Sequence, residues 1–370
     1  MPGYQDPKSQ GDAWGHEEIL SRGQMNIIAD NQRHFATQMW LGLVETQDFE
    51  QTNVTAINQF IRDPTGNNPE SVWLCNGTSD VADVGLYAGL APEMDDTAHG
   101  LTTTSVNSVT AITSRPMDAA WFGLDKEGGA TVGYFRLDAD GTWTRASRAA
   151  GASSDAALVR SINYGDTGDG EGNIVASWSD GDIEVNSTGL TSWSRYALGS
   201  ALYDLHYGNG VWVGAEFGTT SVVHTSTAPA TLWTTTALPA SASQPMVAYD
   251  DGAGVWYVLD SNATGSSLNL YTSSSPTSSF STVPNTVNPA EGGSSFSAFA
   301  AHGGILALFS SGTMYLTTDL GQTWMVYNLG SGVRSYGAKF VGGRLVILGA
   351  TSPDKIWYTT PSFTPFLRLP

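Results

Sequence analysis

Cationic side chains are scarce in this 370-residue sequence. Lys and Arg together number 16 against 35 Asp and Glu, which gives a formal net charge of −19 at pH 7. Proteins that bind phosphate backbones or anionic lipid surfaces need clustered Lys and Arg. The composition therefore argues against nucleic acid as a partner. Polarity comes instead from Ser, Thr, Asn and Gly, which suit a surface that contacts proteins or hydrogen-bonds sugars.

Cysteine is also scarce, and long apolar runs are missing. Cys75 is the single cysteine, so no disulfide can form within the chain, and we expect a small buried apolar residue. No run of 18 apolar residues occurs, and the first residues lack a basic segment followed by an apolar one. We therefore expect no membrane insertion, synthesis in the cytosol and no encoded export route.

Short apolar runs rich in large side chains recur along the chain. The seven copies are Val72–Leu74, Ala120–Gly123, Ile174–Trp178, Val211–Val213, Val255–Val258, Ile305–Phe309 and Leu345–Leu348. Turn-forming residues precede most of them, as Asn209 and Gly210 do, and these two tolerate the positive φ that a two-residue hairpin turn requires. Each copy therefore predicts a buried strand that follows a tight turn.

A second aromatic residue closes most of the units. These residues are Trp143, Trp193, Trp233, Phe280, Trp324 and Phe366, at spacings of 50, 40, 47, 44 and 42 residues. Periods of about 40 to 50 residues filled with short strands are typical of propellers, whose four-stranded blades bury their faces against one another. The sequence therefore predicts an all-β fold, a β-propeller of seven four-stranded blades over residues 51–370.

The repeat overrides the chain length, which alone would suggest two or three domains. The predicted units span residues 53–105, 106–150, 156–199, 201–239, 244–285, 294–330 and 335–370. A propeller closes its ring when strands from both ends of the chain share one blade. We expect residues 53–61 and Phe363–Pro370 to flank that seam.

Residues 1–50 lack the strand repeat and form a predicted N-terminal arm. Between His16 and Leu41, apolar residues recur at three-, four- and seven-residue steps behind Glu17 and Glu18, which predicts one helix. We expect the arm to be a docking segment. Its candidate contact residues are Leu20, Ile27, Ile28, Phe35, Met39 and Trp40. Two alternatives stay open, a helix folded onto its own propeller and one docked onto another subunit.

One complete motif supports the fold. The run Thr317-Thr318-Asp319-Leu320-Gly321-Gln322-Thr323-Trp324 has Thr, Asp, Gly and Trp at the spacing of the Asp-box. The chain therefore resembles the sialidase-like, BNR-repeat β-propellers. The resemblance implies structural roles: Asp319 would accept hydrogen bonds within a hairpin that starts at Thr317 and turns at Gly321, and Trp324 would pack between blades. It implies nothing about activity.

A sialidase centre needs more than this motif. The family uses three arginines on the substrate carboxylate, a Tyr paired with Glu and an acidic Asp, and its first arginine lies in an Arg-Ile-Pro string. The nearest strings here, Ser114-Arg115-Pro116 and Leu367-Arg368-Leu369-Pro370, depart from it. We assign no catalytic residues, and a carbohydrate-active hydrolase is the second hypothesis rather than the first.

One acidic, Gly-rich loop is a candidate metal site. Asp166, Asp169 and Glu171 place three carboxylates within six residues, and Ca²⁺ favours flexible oxygen-rich loops of this kind. A solvated turn is the alternative. The six histidines are scattered, and no Cys and His spacing suits zinc, so we expect no other cofactor.

These features together resemble, in style, a virion component of a tailed phage. We expect a non-enzymatic structural protein of a symmetric homo-oligomeric assembly, such as a tail fibre or receptor-binding protein. Its arm would anchor it to the tail or another virion protein, and its propeller would be exposed for host attachment to a surface glycan or protein. Two alternatives stay open, a sialidase-like glycoside hydrolase and a cytoplasmic protein-interaction propeller.

Overall fold

The computed structural model describes residues 143–260 and 269–328, with gaps at 153–156, 158, 167–171, 188–192, 285–295 and 311, and elsewhere only the strands given below. Every regular element in this part of the chain is a β-strand. Within it there is accordingly no helix of the length and apolarity that crossing a bilayer demands. The predicted helix and its contact residues, Leu20, Ile27, Ile28, Phe35, Met39 and Trp40, lie outside the described residues.

Antiparallel sheets follow one another along the chain. The early strands are β1 (Val44–Glu45), β2 (Ile61–Arg62), β3 (Val72–Cys75), β4 (Asp83–Val84), β5 (Leu86–Tyr87) and β6 (Leu101–Thr102). Sheet 1 contains β2, β3 and β5, and β4 pairs with β6. Sheet 2 contains β7 (Val109–Arg115), β8 (Ala119–Leu124), β9 (Gly133–Asp138) and β10 (Trp143–Ser147).

The later sheets repeat the same order. Sheet 3 contains β11 (Val159–Gly165), β12 (Asn173–Trp178), β13 (Asp182–Asn186) and β14 (Ser194–Ala197). Sheet 4 contains β15 (Leu202–Gly208), β16 (Val211–Glu216), β17 (Thr219–Ala228) and β18 (Leu232–Ser243). Sheet 5 contains β19 (Pro245–Asp250), β20 (Val255–Asp260), β21 (Leu270–Ser273) and β22 (Ser281–Thr282).

The last two sheets complete the repeat. Sheet 6 contains β23 (Ala298–His302), β24 (Ile305–Ser310), β25 (Thr313–Thr317) and β26 (Met325–Asn328). Sheet 7 contains β27 (Arg334–Val341), β28 (Arg344–Ala350), β29 (Lys355–Tyr358) and β1. The all-β prediction and the four-stranded repeat are therefore confirmed for the units from residue 106 onward. The number of blades stays a prediction.

The seam of sheet 7 differs from the expected one. β1 pairs with β29, Val44 opposite Tyr358 and Glu45 opposite Trp357. The sequence had predicted the closing strand within residues 53–61. The observed strand, β1, lies earlier in the chain, and Ile61 belongs to β2 of sheet 1. A two-residue strand has no alternation that a sequence pattern could reveal, and it lies inside the range 1–50 that was assigned to the arm.

Buried side chains fill the spaces between consecutive sheets from sheet 2 to sheet 7. The second strands supply the fully buried tryptophans, Trp178, Trp212 and Trp256. The closing aromatics pack into the cluster shared with the preceding sheet, as for Trp193, Trp233, Phe280 and Trp324. Each sheet therefore buries its faces against its neighbours, which is the packing of a β-propeller.

The first strands of neighbouring sheets lie side by side and run in the same direction. Gly165 at the end of β11 faces the ring of Tyr207 near the end of β15, and a Cβ at Gly165 would lie 2.3 Å from that ring. Gly208 faces Tyr249 in the same way, with a Cβ distance of 2.2 Å. Any larger residue at these glycines would therefore push the first strands apart.

Trp212 tests this packing because its side chain is 0% exposed. We expect Trp212→Ala to lower the free energy of unfolding by about 3 to 5 kcal/mol, since it leaves a large cavity between sheets 3 and 4. Urea denaturation followed by circular dichroism measures the change. Val326→Ala is the control, because Val326 is 60% exposed and should shift stability by less than about 0.5 kcal/mol. Equal effects of the two substitutions would contradict the packing.

Candidate functional site

A group of charged side chains is buried between sheets 2 and 3. Arg148, just after β10, donates from Nε to Glu184 Oε1 at 2.8 Å and from Nη1 to Asp180 Oδ2 at 3.0 Å. Its Nη2 donates to Asp182 Oδ2 at 3.3 Å. Arg195 Nη2 lies 2.8 Å from the other oxygen of Asp182. Arg148 therefore ties the end of sheet 2 to the third strand of sheet 3.

A chain of hydrogen bonds continues from Glu184 into the core. Tyr134 donates to Glu184 Oε2 at 2.9 Å, and Trp178 Nε1 donates to the Tyr134 hydroxyl at 2.8 Å. Trp193 stacks on Tyr134 with ring centres 3.8 Å apart. Burial raises the pKa of Glu184, although Arg148 acts in the opposite direction. Burial, together with the neighbouring carboxylate, raises the pKa of Tyr134. We call Arg148, Glu184, Asp180, Asp182, Arg195 and Tyr134 the buried network.

The buried network contains a Tyr and Glu pair, as a sialidase does, but it is closed to a substrate. Tyr134 and Glu184 are both 0% exposed. A Tyr that attacks a sugar must reach it, and this buried hydroxyl is hydrogen-bonded to Glu184 and Trp178. Arg148 and Arg195 bind carboxylates of their own chain. This geometry suits a contact that holds two sheets together.

The strand order defines two sides of the propeller. Turns between first and second strands and between third and fourth strands lie on one side, which carries Thr317–Trp324 and is called the Asp-box side. Turns between second and third strands, and the connections from sheet to sheet, lie on the connection side. β1 takes the place of a fourth strand antiparallel to β29, so its first residue, Val44, lies on the Asp-box side.

An exposed aromatic ring lies beside an arginine on the connection side. Phe217, in the turn between β16 and β17, is 48% exposed. The guanidinium carbon of Arg160 is 4.8 Å from the centre of the Phe217 ring, and the centre of the Tyr203 ring is 5.9 Å from it. Among the described residues, Arg160 forms no ion pair and its buried Nε has no hydrogen-bond partner. We call Arg160, Tyr203 and Phe217 the Phe217 cluster.

Backbone contacts hold the Phe217 turn in place. The Phe217 N–H donates to the carbonyl oxygen of Ala201 at 2.7 Å, and the Gly218 carbonyl accepts from the N–H of Gln244 at 2.8 Å. Gly218 has a φ of 100°, which favours glycine. The turn is thus anchored to the chain on both sides of sheet 4, so the Phe217 ring is presented in a fixed position.

The polar groups beneath the turn are already bonded to one another. Glu216 Oε1 lies 2.7 Å from His224 Nε2. Burial alone would raise the pKa of Glu216, but hydrogen bonds from His224, Ser200 and Thr220 outweigh it and the pKa is lowered. Glu216 therefore has little remaining capacity to bind a ligand.

The Asp-box closes its own turn. Thr317 Oγ1 donates to Asp319 Oδ1 at 2.7 Å and accepts from the N–H of Gly321 at 3.1 Å. Asp319 also accepts from the N–H and hydroxyl of Thr323, at 2.8 and 2.6 Å. Trp324 Nε1 donates to the carbonyl oxygen of Gly321 at 3.0 Å. The motif lies on the side opposite the Phe217 cluster.

The candidate Ca²⁺ ligands are only partly described. Asp166 is exposed, and its carbonyl oxygen accepts a hydrogen bond from the Tyr207 hydroxyl. Asp169 and Glu171 lie outside the described residues. Where the structure describes the chain, no three His, Cys, Asp or Glu side chains are grouped as metal ligands. The Ca²⁺ site stays a prediction.

The sequence analysis missed the Phe217 cluster, although the repeat contains a signal for it. Arg160 and Tyr203 are the residues at which the pairing of the first strand with the second shifts, in β11 and β15 respectively. A bulge re-aims side chains and is frequent next to functional sites. The equivalent turn of sheet 3 carries Ser179 and Asp180 where sheet 4 has Phe217. Aligning the units places Arg160 and Tyr203 at equivalent positions, but only the structure shows that both lie near Phe217.

Comparisons with known proteins bear on the fold. No protein-family model matches the chain, and no curated protein matches it. Solved structures do, including YCF48 bound to D1 peptide, with 13% identity, a TM-score of 0.61 and coverage of 87% of this chain and 95% of that one. YCF48 from Cyanidioschyzon merolae has 14% identity, a TM-score of 0.57 and coverage of 85% and 98%. The computationally designed Ika8 protein has 13% identity, a TM-score of 0.54 and coverage of 85% and 99%. These similarities support a β-propeller fold.

Removing the central arginine tests the buried network. We expect Arg148→Met to lower the free energy of unfolding by about 3 to 5 kcal/mol near pH 7, because buried carboxylates lose their cation. The pKa of Glu184, already raised, would rise further, so the folded state would bind a proton that the unfolded state releases. The penalty should therefore shrink as the pH falls. Denaturant unfolding between pH 5 and 8 measures it.

Arg195→Met is the matched control for this substitution. The Arg195 side chain is 27% exposed and pairs with Asp182, whereas Arg148 is 4% exposed and pairs with Asp180, Asp182 and Glu184 among the described residues. We expect a smaller loss with Arg195→Met. Equal losses, or a loss for Arg148→Met that does not change with pH, would contradict the role given to Glu184.

The Asp-box gives a separate prediction about acid stability. Burial would raise the pKa of Asp319, but hydrogen bonds from Thr323 and Thr317 outweigh it and the pKa is lowered. A lowered pKa stabilises the fold fully above the unfolded pKa, about 3.9, and the contribution is lost as the pH falls through the folded value. Asp319→Ala should therefore be less stable at pH 7 and lose less stability on acidification. Thr318→Ala should keep the parent's acid dependence in thermal melts.

Proposed function

We propose that this chain is a non-enzymatic attachment protein. Its N-terminal arm anchors it to another protein of a larger assembly, and its propeller presents the Phe217 cluster to a ligand. In the finer form of this proposal the ring has seven blades, the arm contains one helix, and the Asp-box reflects kinship with sialidase-like propellers. The assembly is a tailed-phage particle with the propeller directed to the host surface.

The Phe217 cluster carries the proposal. Residues that dominate binding energy at protein interfaces are enriched in Tyr, Trp and Arg, held near the centre of a preformed surface. Phe217 exposes nearly half of its ring next to the aromatic ring of Tyr203 and the guanidinium of Arg160. The turn that carries Phe217 is anchored by backbone hydrogen bonds, so little ordering cost accompanies binding.

The positions of the two binding elements support an attachment role. Val44, to which the proposed arm connects, lies on the Asp-box side, and the Phe217 cluster lies on the connection side. A protein that links an assembly to a ligand needs its anchor and its binding surface on separate sides. YCF48, which this chain resembles in fold, has been solved with a D1 peptide, and this favours a polypeptide ligand for the propeller.

A glycoside hydrolase is supported less well. The Tyr and Glu pair that comes closest to a sialidase centre is fully buried between sheets 2 and 3. Arg148 and Arg195 are bonded to carboxylates of the chain, so they are not available to an anionic sugar. Turnover of a fluorogenic sialoside that is abolished by Tyr134→Phe would reverse this preference.

The anchoring role is tested with the full-length chain co-expressed with the products of its neighbouring genes. We expect these proteins to co-purify as a symmetric assembly visible by electron microscopy. The triple substitution Leu20→Asp, Ile27→Asp and Phe35→Asp should abolish co-purification, because it places charges on the apolar face of the arm. Phe217→Ala, on the propeller, should leave assembly unchanged. Assembly that survives the triple substitution, or that depends on Phe217, would contradict the proposal.

A further inference from the structure

Arg160 differs from Arg148 and Arg195 in its charge partners. Arg148 and Arg195 are bonded to carboxylates. Among the described residues no ion pair involves Arg160, so its charge differs from those of Arg148 and Arg195 in having no carboxylate partner there. A guanidinium without a carboxylate partner in its own chain can pair through its outer nitrogens with a carboxylate from outside. The position of Arg160 therefore points to an acceptor that comes from outside the chain.

The surroundings of Arg160 define the shape of that acceptor. The guanidinium carbon lies 4.8 Å from the centre of the Phe217 ring, a cation–π contact that leaves the outer nitrogens able to donate. A planar carboxylate matches the paired donors of a guanidinium. The exposed ring face of Phe217 is an apolar surface directly beside this position. The ligand must therefore combine a carboxylate with an adjacent apolar group.

We propose that the Phe217 cluster binds a polypeptide segment in which an acidic residue stands next to an apolar one. The acidic side chain pairs with Arg160, and the apolar side chain packs on Phe217 and Tyr203. This inference rests on the proposed attachment function and names the chemistry of its ligand. It also assigns Arg160 as the residue that sets specificity and Phe217 as the residue that supplies affinity.

An acidic sugar fits the same surface less well. Sugar binding needs several hydrogen-bonding groups around an aromatic ring, because each hydroxyl must be matched. The carboxylate nearest to Phe217 in sequence, Glu216, is already bonded to His224, Ser200 and Thr220. The Phe217 N–H and the Gly218 carbonyl of the turn are bonded to Ala201 and Gln244. Among the described residues of the Phe217 cluster, one cation and two aromatic rings remain, which suits a peptide better than a carbohydrate.

A peptide array with matched pairs tests the inference. The probes are twelve-residue peptides with blocked ends that contain Glu-Leu, each paired with the same peptide containing Gln-Leu, and binding of the full-length chain is quantified by fluorescence anisotropy. We expect the Glu form of the bound pairs to bind roughly tenfold more tightly, as one charged contact would give. Arg160→Gln should abolish the preference. Phe217→Ala should weaken both forms by at least roughly tenfold.

The controls separate loss of folding from loss of contact. Arg160→Lys keeps the charge but not the paired donors, so an intermediate preference is expected if the guanidinium geometry matters. Val326→Ala changes an exposed residue on the outer strand of sheet 6 and should leave binding unaltered. Each variant is used only if its melting temperature matches that of the parent, and Arg160→Met, which also removes the charge, replaces Arg160→Gln if the latter is destabilised.

The outcomes distinguish this inference from the proposed function. Peptide binding that shows no preference for Glu, or a preference that persists in Arg160→Gln, overturns the carboxylate assignment and leaves the attachment proposal standing. Binding to no peptide, together with binding to acidic oligosaccharides on a glycan array, overturns the polypeptide ligand itself. Preference for Glu that depends on Arg160 and affinity that depends on Phe217 support the inference.

Discussion

Every sheet of this propeller must bury two faces at once, one against the sheet before it and one against the sheet after it. The contact between first strands shows how strict this constraint is. Gly208 leaves room for the Tyr249 ring of the next sheet. Between β19 and β23 the pair is different: Asp250 stands where Gly208 stands in β15, and Ala301 stands where Tyr249 stands in β19. Asp250 accepts a hydrogen bond from the N–H of Gly304 at 2.6 Å. The smaller side chain on one first strand is thus matched by a larger one on the neighbouring first strand.

The same constraint decides which charged groups are free to act. A carboxylate on an inner strand position is enclosed by neighbouring sheets, so it must be paired inside the protein or cost several kcal/mol. Glu184 and Asp182 are enclosed in this way and are satisfied by Arg148 and Arg195. Recognition is therefore left to the turns, where side chains are presented without being enclosed. Phe217 occupies such a turn.

The sequence could predict those structural features that depend on a few neighbouring residues and recur in each unit. The turn at Asn209 and Gly210, with φ of 48° and 78°, follows from residue preferences alone, and Gly208 pairs with Val211 as expected. The seam could not be predicted, because Val44 and Glu45 pair across more than 300 residues with too short a pattern. The buried network also contradicts the usual alternation, since two acidic residues of β13 face the core. The Phe217 cluster could not be predicted from any single segment, because it joins residues of two sheets through a bulge in each first strand.

The chemistry of the Phe217 cluster must also be weighed against the excess of acidic residues in the chain. At physiological ionic strength the Debye length is about 8 Å, so most of the formal charge of −19 is screened from an approaching peptide. A contact pair at about 4 Å in an effective dielectric of about 20 is worth about 4 kcal/mol before desolvation. Arg160 therefore makes the contact with an acidic peptide attractive, while the negative net charge of the chain slows the association of that peptide. Added salt weakens the first effect and relieves the second, so the two partly offset each other in the affinity.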